Sequence, residues 1–305
     1  MLNKLIRSIK YGNILNSVKI RLRLVFRIKN KNVYEEYTRC KEYQRLQKKY
    51  KKIIDKGVST NLPRSKSNFI WICWLQGMES APRIVKACVN SIIKAMPDKQ
   101  IIILTNDNIF DYINLPDYIL RKKENGIIPL AHFTDLIRIE LLCNYGGGWI
   151  DATVLCTTNK IPSFIDNASL FVYKQFDLYQ KDIYPIMLSS WLIFSEKNHP
   201  ILLLTRDLLF DYWKENNKLT HYFTFHFFFS MAARRYFDLW EDIPPVNNHG
   251  PHTLQLELKH KYSCERWEQI TSISCFHKLN RRLDYSSIPD SMYCYILKTF
   301  NTNFD

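Results

Sequence analysis

Ala131-His-Phe-Thr-Asp135-Leu-Ile-Arg138, continued by an apolar run to Tyr145 and then by Gly146-Gly147-Gly148-Trp149-Ile150-Asp151-Ala152-Thr153, contains in order a helix, a glycine turn and a short strand. Apolar residues occupy much of the helix circumference, which marks the helix as buried. Gly146 falls where a left-handed residue ends such a helix, and the glycines after it permit close backbone approach. The strand delivers the carboxylate of Asp151 at its end. In open α/β sheets ligands bind just beyond the carboxyl ends of strands, so an acid there is placed for chemistry.

Upstream, Phe69-Ile-Trp71-Ile-Cys-Trp74-Leu75 is rich in β-branched and aromatic residues and predicts a first core strand. Ser80-Ala-Pro82 supplies helix-start chemistry, Ile84, Val85, Cys88, Val89, Ile92 and Ile93 follow with helical period, and residues 100–105 form another short apolar strand. Strand, helix and strand at this spacing make a βαβ unit, so the fold class is α/β with a parallel sheet. Downstream, the pattern predicts strands over residues 168–173 and 187–194. Helices are predicted over 201–216, 220–237 and near 264–270, with a last apolar segment over 273–279. The aromatic residues 222–229 read as core, and residues 107–128 are mixed and give no assignment.

The 305 residues are 46% hydrophobic, enough for a substantial core and too many for a disordered chain. The net charge of +14 calls for an anionic partner. Much of it lies in residues 1–31, where Lys4, Arg7, Lys10, Lys19, Arg21, Arg23, Arg27, Lys29 and Lys31 precede the first acid, Glu35. Apolar residues recur there every three or four positions. That pattern suits a helix lying in an anionic membrane interface or a solvated helix on the protein body. A second, exposed helix is expected over residues 34–54 and a linker over 61–68, dividing the chain into a basic helical segment, 1–60, and an α/β domain, 61–305. No apolar run approaches the length of about 20 residues that spans a membrane, and no secretory signal is evident. The eight cysteines lack any Cys-x-x-Cys pair and suit reduced thiols. No nucleic-acid motif accompanies the charge, so nucleic acid is not an expected partner.

Asp135 and Arg138, three apart on a helix, share a face with His132 one turn earlier. Alone they suit a structural ion pair. With Asp151 after the turn, one cation and two acids form a plausible site for a diphosphate and a sugar. The stretch from Phe133 to Thr153 resembles the signature of the capsular polysaccharide synthesis glycosyltransferases, bacterial relatives of glycosyltransferase family 32. The blocks Phe69 to Gly77, Ala81 to Ser91, Leu188 to Trp191, Tyr222 to Phe229, Pro251 to Gln255 and Phe276 to Leu279 are similar to its other motifs.

That resemblance implies a GT-A-like, Rossmann-type domain with a mixed, mainly parallel central sheet and helical insertions in its C-terminal half. It implies a retaining transferase that moves a sugar from a UDP-sugar to a lipid-linked or growing cell-surface polysaccharide, working at the inner face of a bacterial plasma membrane. The basic N-terminus would then meet the anionic membrane surface. Asp135, Arg138 and Asp151 become the catalytic set. Trp71 would lie against the uracil, while Gly147, Gly148, Thr153, Ser190 and His277 would border the nucleotide-sugar. Trp191, Asn248 and His252 would meet the acceptor. Asp151 stands at the first acid of an Asp-x-Asp motif and, with His277, would hold Mn²⁺ or Mg²⁺. Thr153 replaces the second acid, which weakens the expected metal site. The alternatives are a catalytically weakened, transferase-like assembly partner and a basic nucleic-acid-binding protein.

Overall fold

The computed structural model describes residues 31–175 and 184–300. The basic stretch up to residue 30 therefore lies outside the described residues. The chain forms two compact units that divide between Lys49 and Tyr50, earlier than the boundary expected near residue 60. In the first unit, helix α1 (Lys31–Lys49) carries Glu36–Arg39 and Glu42–Arg45 ion pairs one turn apart.

The second unit begins with α2 (Lys51–Lys56), β1 (Phe69–Cys73), α3 (Arg83–Ala95), β2 (Gln100–Leu104), α4 (Asp117–Glu124) and α5 (Leu130–Asn144). Next come β3 (Gly147–Ile150), β4 (Val154–Cys156), α6 (Ser163–Asp166), β5 (Leu170–Lys174), β6 (Leu188–Ser195), α7 (Pro200–Glu215) and α8 (Thr224–Arg235). It closes with α9 (Phe237–Glu241), α10 (Thr253–Glu257), α11 (Cys264–Ile273), β7 (Phe276–Lys278) and α12 (Met292–Phe300).

Five strands form one sheet in the order β2-β1-β3-β6-β5. β1 pairs in parallel with β2 and β3, while β6 runs antiparallel to both β3 and β5. One strand is thus reversed, and the sheet is the mixed, mainly parallel one that the family resemblance implies. β4 and β7 form a separate antiparallel pair. Alternation along β1 and β3 sends Ile70, Ile72 and Ile150 into the core shared with α3. It turns Trp149 toward α5, where the Arg138 guanidinium lies 4.8 Å from its ring centroid. The Phe225, Phe227, Phe228 and Phe229 side chains of α8 are fully buried, as core residues should be.

The glycine turn does two jobs. Gly146, at φ +70°, ends α5 in the left-handed region, and its N–H donates to Leu142 O at 3.0 Å. Gly147 and Gly148 lie inside the sheet, so their expected place beside a nucleotide-sugar needs correction. A Cβ on Gly147 would stand 2.3 Å from Phe69 O, and one on Gly148 would stand 2.8 Å from Ile70 and Phe194. They are small because β3 is pressed between β1 and β6.

Other boundaries also differ. The helix expected over 220–237 breaks at Tyr236, and the one expected over 34–54 breaks at Tyr50. Residues 107–128 contain α4, and α12 follows β7. Among the described residues no helix is long and apolar enough to cross a membrane.

Candidate functional site

The carboxyl ends of β1 and β3 open into a pocket of about 290 Å³. Cys73 and Trp74 enter it from β1, and Asp151, Ala152 and Thr153 enter from the turn after β3. His132, Asp135 and Arg138 reach it from α5, Ser190 from β6, and Lys278 and Arg281 from β7 and the segment after it. The expected helix face and the expected strand-end acid therefore meet in one place.

Arg138 is the hub. Its guanidinium is nearly buried, with 5% of the side chain exposed, and it donates to Asp135 and, at 3.1 Å, to Asp151 Oδ1. The ring of Trp149 covers it, with Phe225 at 5.5 Å. Trp149 Nε1 also donates to Asp151 Oδ1, at 2.9 Å. The other oxygen, Oδ2, accepts from Lys278 Nζ at 2.9 Å, and the same ammonium donates to Thr153 Oγ1. A buried cation of this kind is tolerated only because it is paired and hydrogen-bonded.

The two carboxylates respond differently. Burial opposes the charged form of Asp151, but Lys278 and Arg138 outweigh it and hold this carboxyl below its ordinary value. Burial dominates at Asp135 and pushes it up to about 6 despite its contact with Arg138. The neighbouring histidines stay neutral, because burial drives both His132 and His226 down to about 3. His132 Nδ1 accepts from Trp213 Nε1 at 2.9 Å, which places the ring proton of neutral His132 on Nε2. Burial raises the Cys73 thiol to about 12, so it is no nucleophile at neutral pH.

Several expected residues lie elsewhere. Trp71 is fully buried in mid-strand among Phe69, Tyr112 and Tyr145, and its indole N–H donates to Gly146 O at 2.9 Å. With none of its surface exposed, it cannot stack on a base. Trp74, one residue beyond the strand, lines the pocket instead, with the Arg281 guanidinium 5.2 Å from its ring. His277 is also fully buried, facing Thr157 Oγ1 at 3.1 Å, and burial lowers it to about 4. Strand alternation sends the next residue, Lys278, into the pocket in its place.

Ser190 and Thr153 reach the pocket as expected. Trp191, Asn248 and His252 do come together, but outside the pocket lining. Trp191 is buried, stacks on Tyr173 at 4.8 Å, donates to Asn248 Oδ1 at 3.1 Å and meets His252 edge-on. Those contacts tie the 242–252 loop to β6.

The sequence profile described as "Capsular polysaccharide synthesis protein" matches residues 21–296. The chain belongs to this family. Among curated proteins none matches. Among solved structures, "PaToxG Glycosyltransferase" is similar over 78% of this chain and 94% of its own, at 13% identity and a TM-score of 0.39. The family resemblance first read from residues 133–153 is thus borne out.

In this member of the capsular polysaccharide synthesis family, the side chains expected to hold a divalent cation do not fit one. Mg²⁺ and Mn²⁺ take several oxygen ligands. Here both Asp151 oxygens and the Thr153 hydroxyl already accept from Arg138, Trp149 or Lys278. Two unit charges about 4 Å apart interact by about 4 kcal/mol at an effective dielectric of about 20, and a dication beside an ammonium doubles that repulsion. The Asp151 carboxylate could offset that repulsion only by giving up its contacts with Arg138, Trp149 and Lys278. Among the described residues no group of three or more His, Cys, Asp and Glu could hold a metal ion. Lys278 and Arg281 were the residues missed by sequence reasoning. Their only local signal was a basic residue directly after His277 and another just beyond Asn280.

Proposed function

We propose that this chain is a retaining glycosyltransferase that moves a sugar from a UDP-sugar to a lipid-linked intermediate of a capsular or cell-surface polysaccharide. The observation that best supports this reading is the convergence of Arg138, Lys278 and Arg281 with Asp135 and Asp151 on one pocket beyond the carboxyl ends of β1 and β3. Three cations suit a diphosphate, and two carboxylates suit sugar hydroxyls. Trp74 offers the uracil a flat partner at the rim.

In this reading the diphosphate leaves toward Lys278 and Arg281, whose fixed charges stabilise the negative charge that develops on it. The acceptor hydroxyl enters on the same face, beside Ser190, and gives its proton to the leaving phosphate. The pocket's titratable groups fit that route: Asp135 and Asp151 are both paired with Arg138, and His132 and His226 bind protons only in acid. The basic residues 1–31 would keep the enzyme at the inner face of a bacterial membrane, close to a lipid diphosphate acceptor.

A panel of UDP-sugars, followed by UDP release with and without acceptor lipid, tests the proposal. One donor should turn over, and Asp151→Asn should lose most of that turnover, roughly a hundredfold, while remaining folded. No release from any UDP-sugar, or an Asp151→Asn variant as active as the parent, would overturn it.

A further inference from the structure

We propose that Lys278 is the built-in counter-cation of the diphosphate site, occupying the place of a divalent metal, so that nucleotide binding is independent of metal. The inference rests on the UDP-sugar reading and adds the nature of its phosphate-binding group.

The position of Lys278 is set by backbone pairing. Lys278 lies opposite Val154 in the β4–β7 ladder, and Leu279 N donates to Thr153 O at 2.9 Å. The side chain then spans the short distance to the turn that carries Asp151 and Thr153. Its ammonium has three hydrogens; one goes to Asp151 Oδ2 and one to Thr153 Oγ1, and the third has no partner among the described residues. A cation held by two oxygens, with its remaining donor toward the cavity, is organised to receive a phosphate oxygen. With two of its three donors already held by protein oxygens, it gives up less water than a free ammonium would.

Thr153 belongs to the same arrangement. A carboxylate there would add a second negative charge to that of Asp151 beside Lys278, whereas a hydroxyl accepts the hydrogen bond and adds none. With Arg138 and Arg281, the pocket presents three cations against two carboxylates, and its histidines are neutral. A nucleoside diphosphate finds net positive charge before any metal arrives. A plain structural ion pair would not need a mouth position, yet Lys278 and Asp151 each keep about a fifth to a quarter of the side chain exposed, at 21% and 27%.

The test is calorimetric binding of UDP and of uridine to the full chain, in EDTA and in Mn²⁺. The parent should bind UDP in EDTA nearly as tightly as in Mn²⁺. Lys278→Gln, which keeps hydrogen-bonding capacity without charge, should lose roughly tenfold or more in UDP affinity in EDTA while uridine binding is unchanged. Lys278→Arg should restore most of the loss. Parent binding that vanishes in EDTA and returns with Mn²⁺ overturns the inference, as does Lys278→Gln binding UDP like the parent. A parallel loss of UDP and uridine affinity also overturns it, since that marks a structural role. A parent that binds neither UDP nor uridine in either condition overturns the donor reading itself, and this assignment with it.

Discussion

Asp135 and Asp151 touch the same guanidinium yet titrate in opposite directions, because Asp151 has a second cation and Asp135 does not. With Asp135 near 6 in the fold and near 3.8 when unfolded, the native chain binds more protons between those values. On its account, stability falls as pH rises from about 4 to about 6. Asp151 acts the other way, and its contribution is lost only as pH drops below the ordinary carboxylate value. Urea unfolding of the parent and Asp135→Asn at pH 4 and pH 7 should show the parent losing ground to the variant as pH rises, by on the order of 1 kcal/mol or more. A difference that does not change with pH would mean that Asp135 ionises normally. At this scale the sequence was partly legible. Asp135, Arg138 and Asp151 could be found because helix spacing and a strand end are local facts. His277 came from the family resemblance, and nothing local singled out its neighbour Lys278. Which of two adjacent residues faces a pocket depends on a strand register 120 or more residues away, as the Lys278 pairing with Thr153 and Asp151 shows at separations of 125 and 127.

Among the elements, β3 makes the sharpest demand on sequence. A methyl group on Gly147 meets backbone, at 2.3 Å from Phe69 O, and must also adopt φ +88°. One on Gly148 meets only the side chains of Ile70 and Phe194. Gly147→Ala should therefore destabilise by roughly 3 kcal/mol or more, and Gly148→Ala by roughly 1–3 kcal/mol, measured by chemical denaturation. The reverse order would place the strain elsewhere. The strong apolar patterns predicted β1, α3, β2, α5 and β6 closely. Helix α4 escaped notice because its residues are mostly charged and only Ile119 is buried. β4 is three residues long and is a strand only because β7 pairs with it, which no local pattern reveals.

At the scale of the molecule, the largest share of the net charge of +14 is the dense basic run in residues 1–31, while Arg138, Lys278 and Arg281 line the pocket. Removing residues 1–31 should reduce co-sedimentation with anionic vesicles while UDP affinity stays within a few fold. Raising salt should weaken the vesicle binding of the parent. Unchanged sedimentation would sink the attachment role. The βαβ order and the family membership were legible because they are spread over the whole sequence, whereas the pocket residues Lys278 and Arg281 come from the last described strand and the segment after it. That placement bears on synthesis as well as on binding. β7 leaves the ribosome after every other strand described, so a nascent chain can assemble α5, the glycine turn and β3 while Asp151 still lacks Lys278. A message truncated before the Lys278 codon yields a protein with its central sheet encoded in full and one of its pocket cations missing.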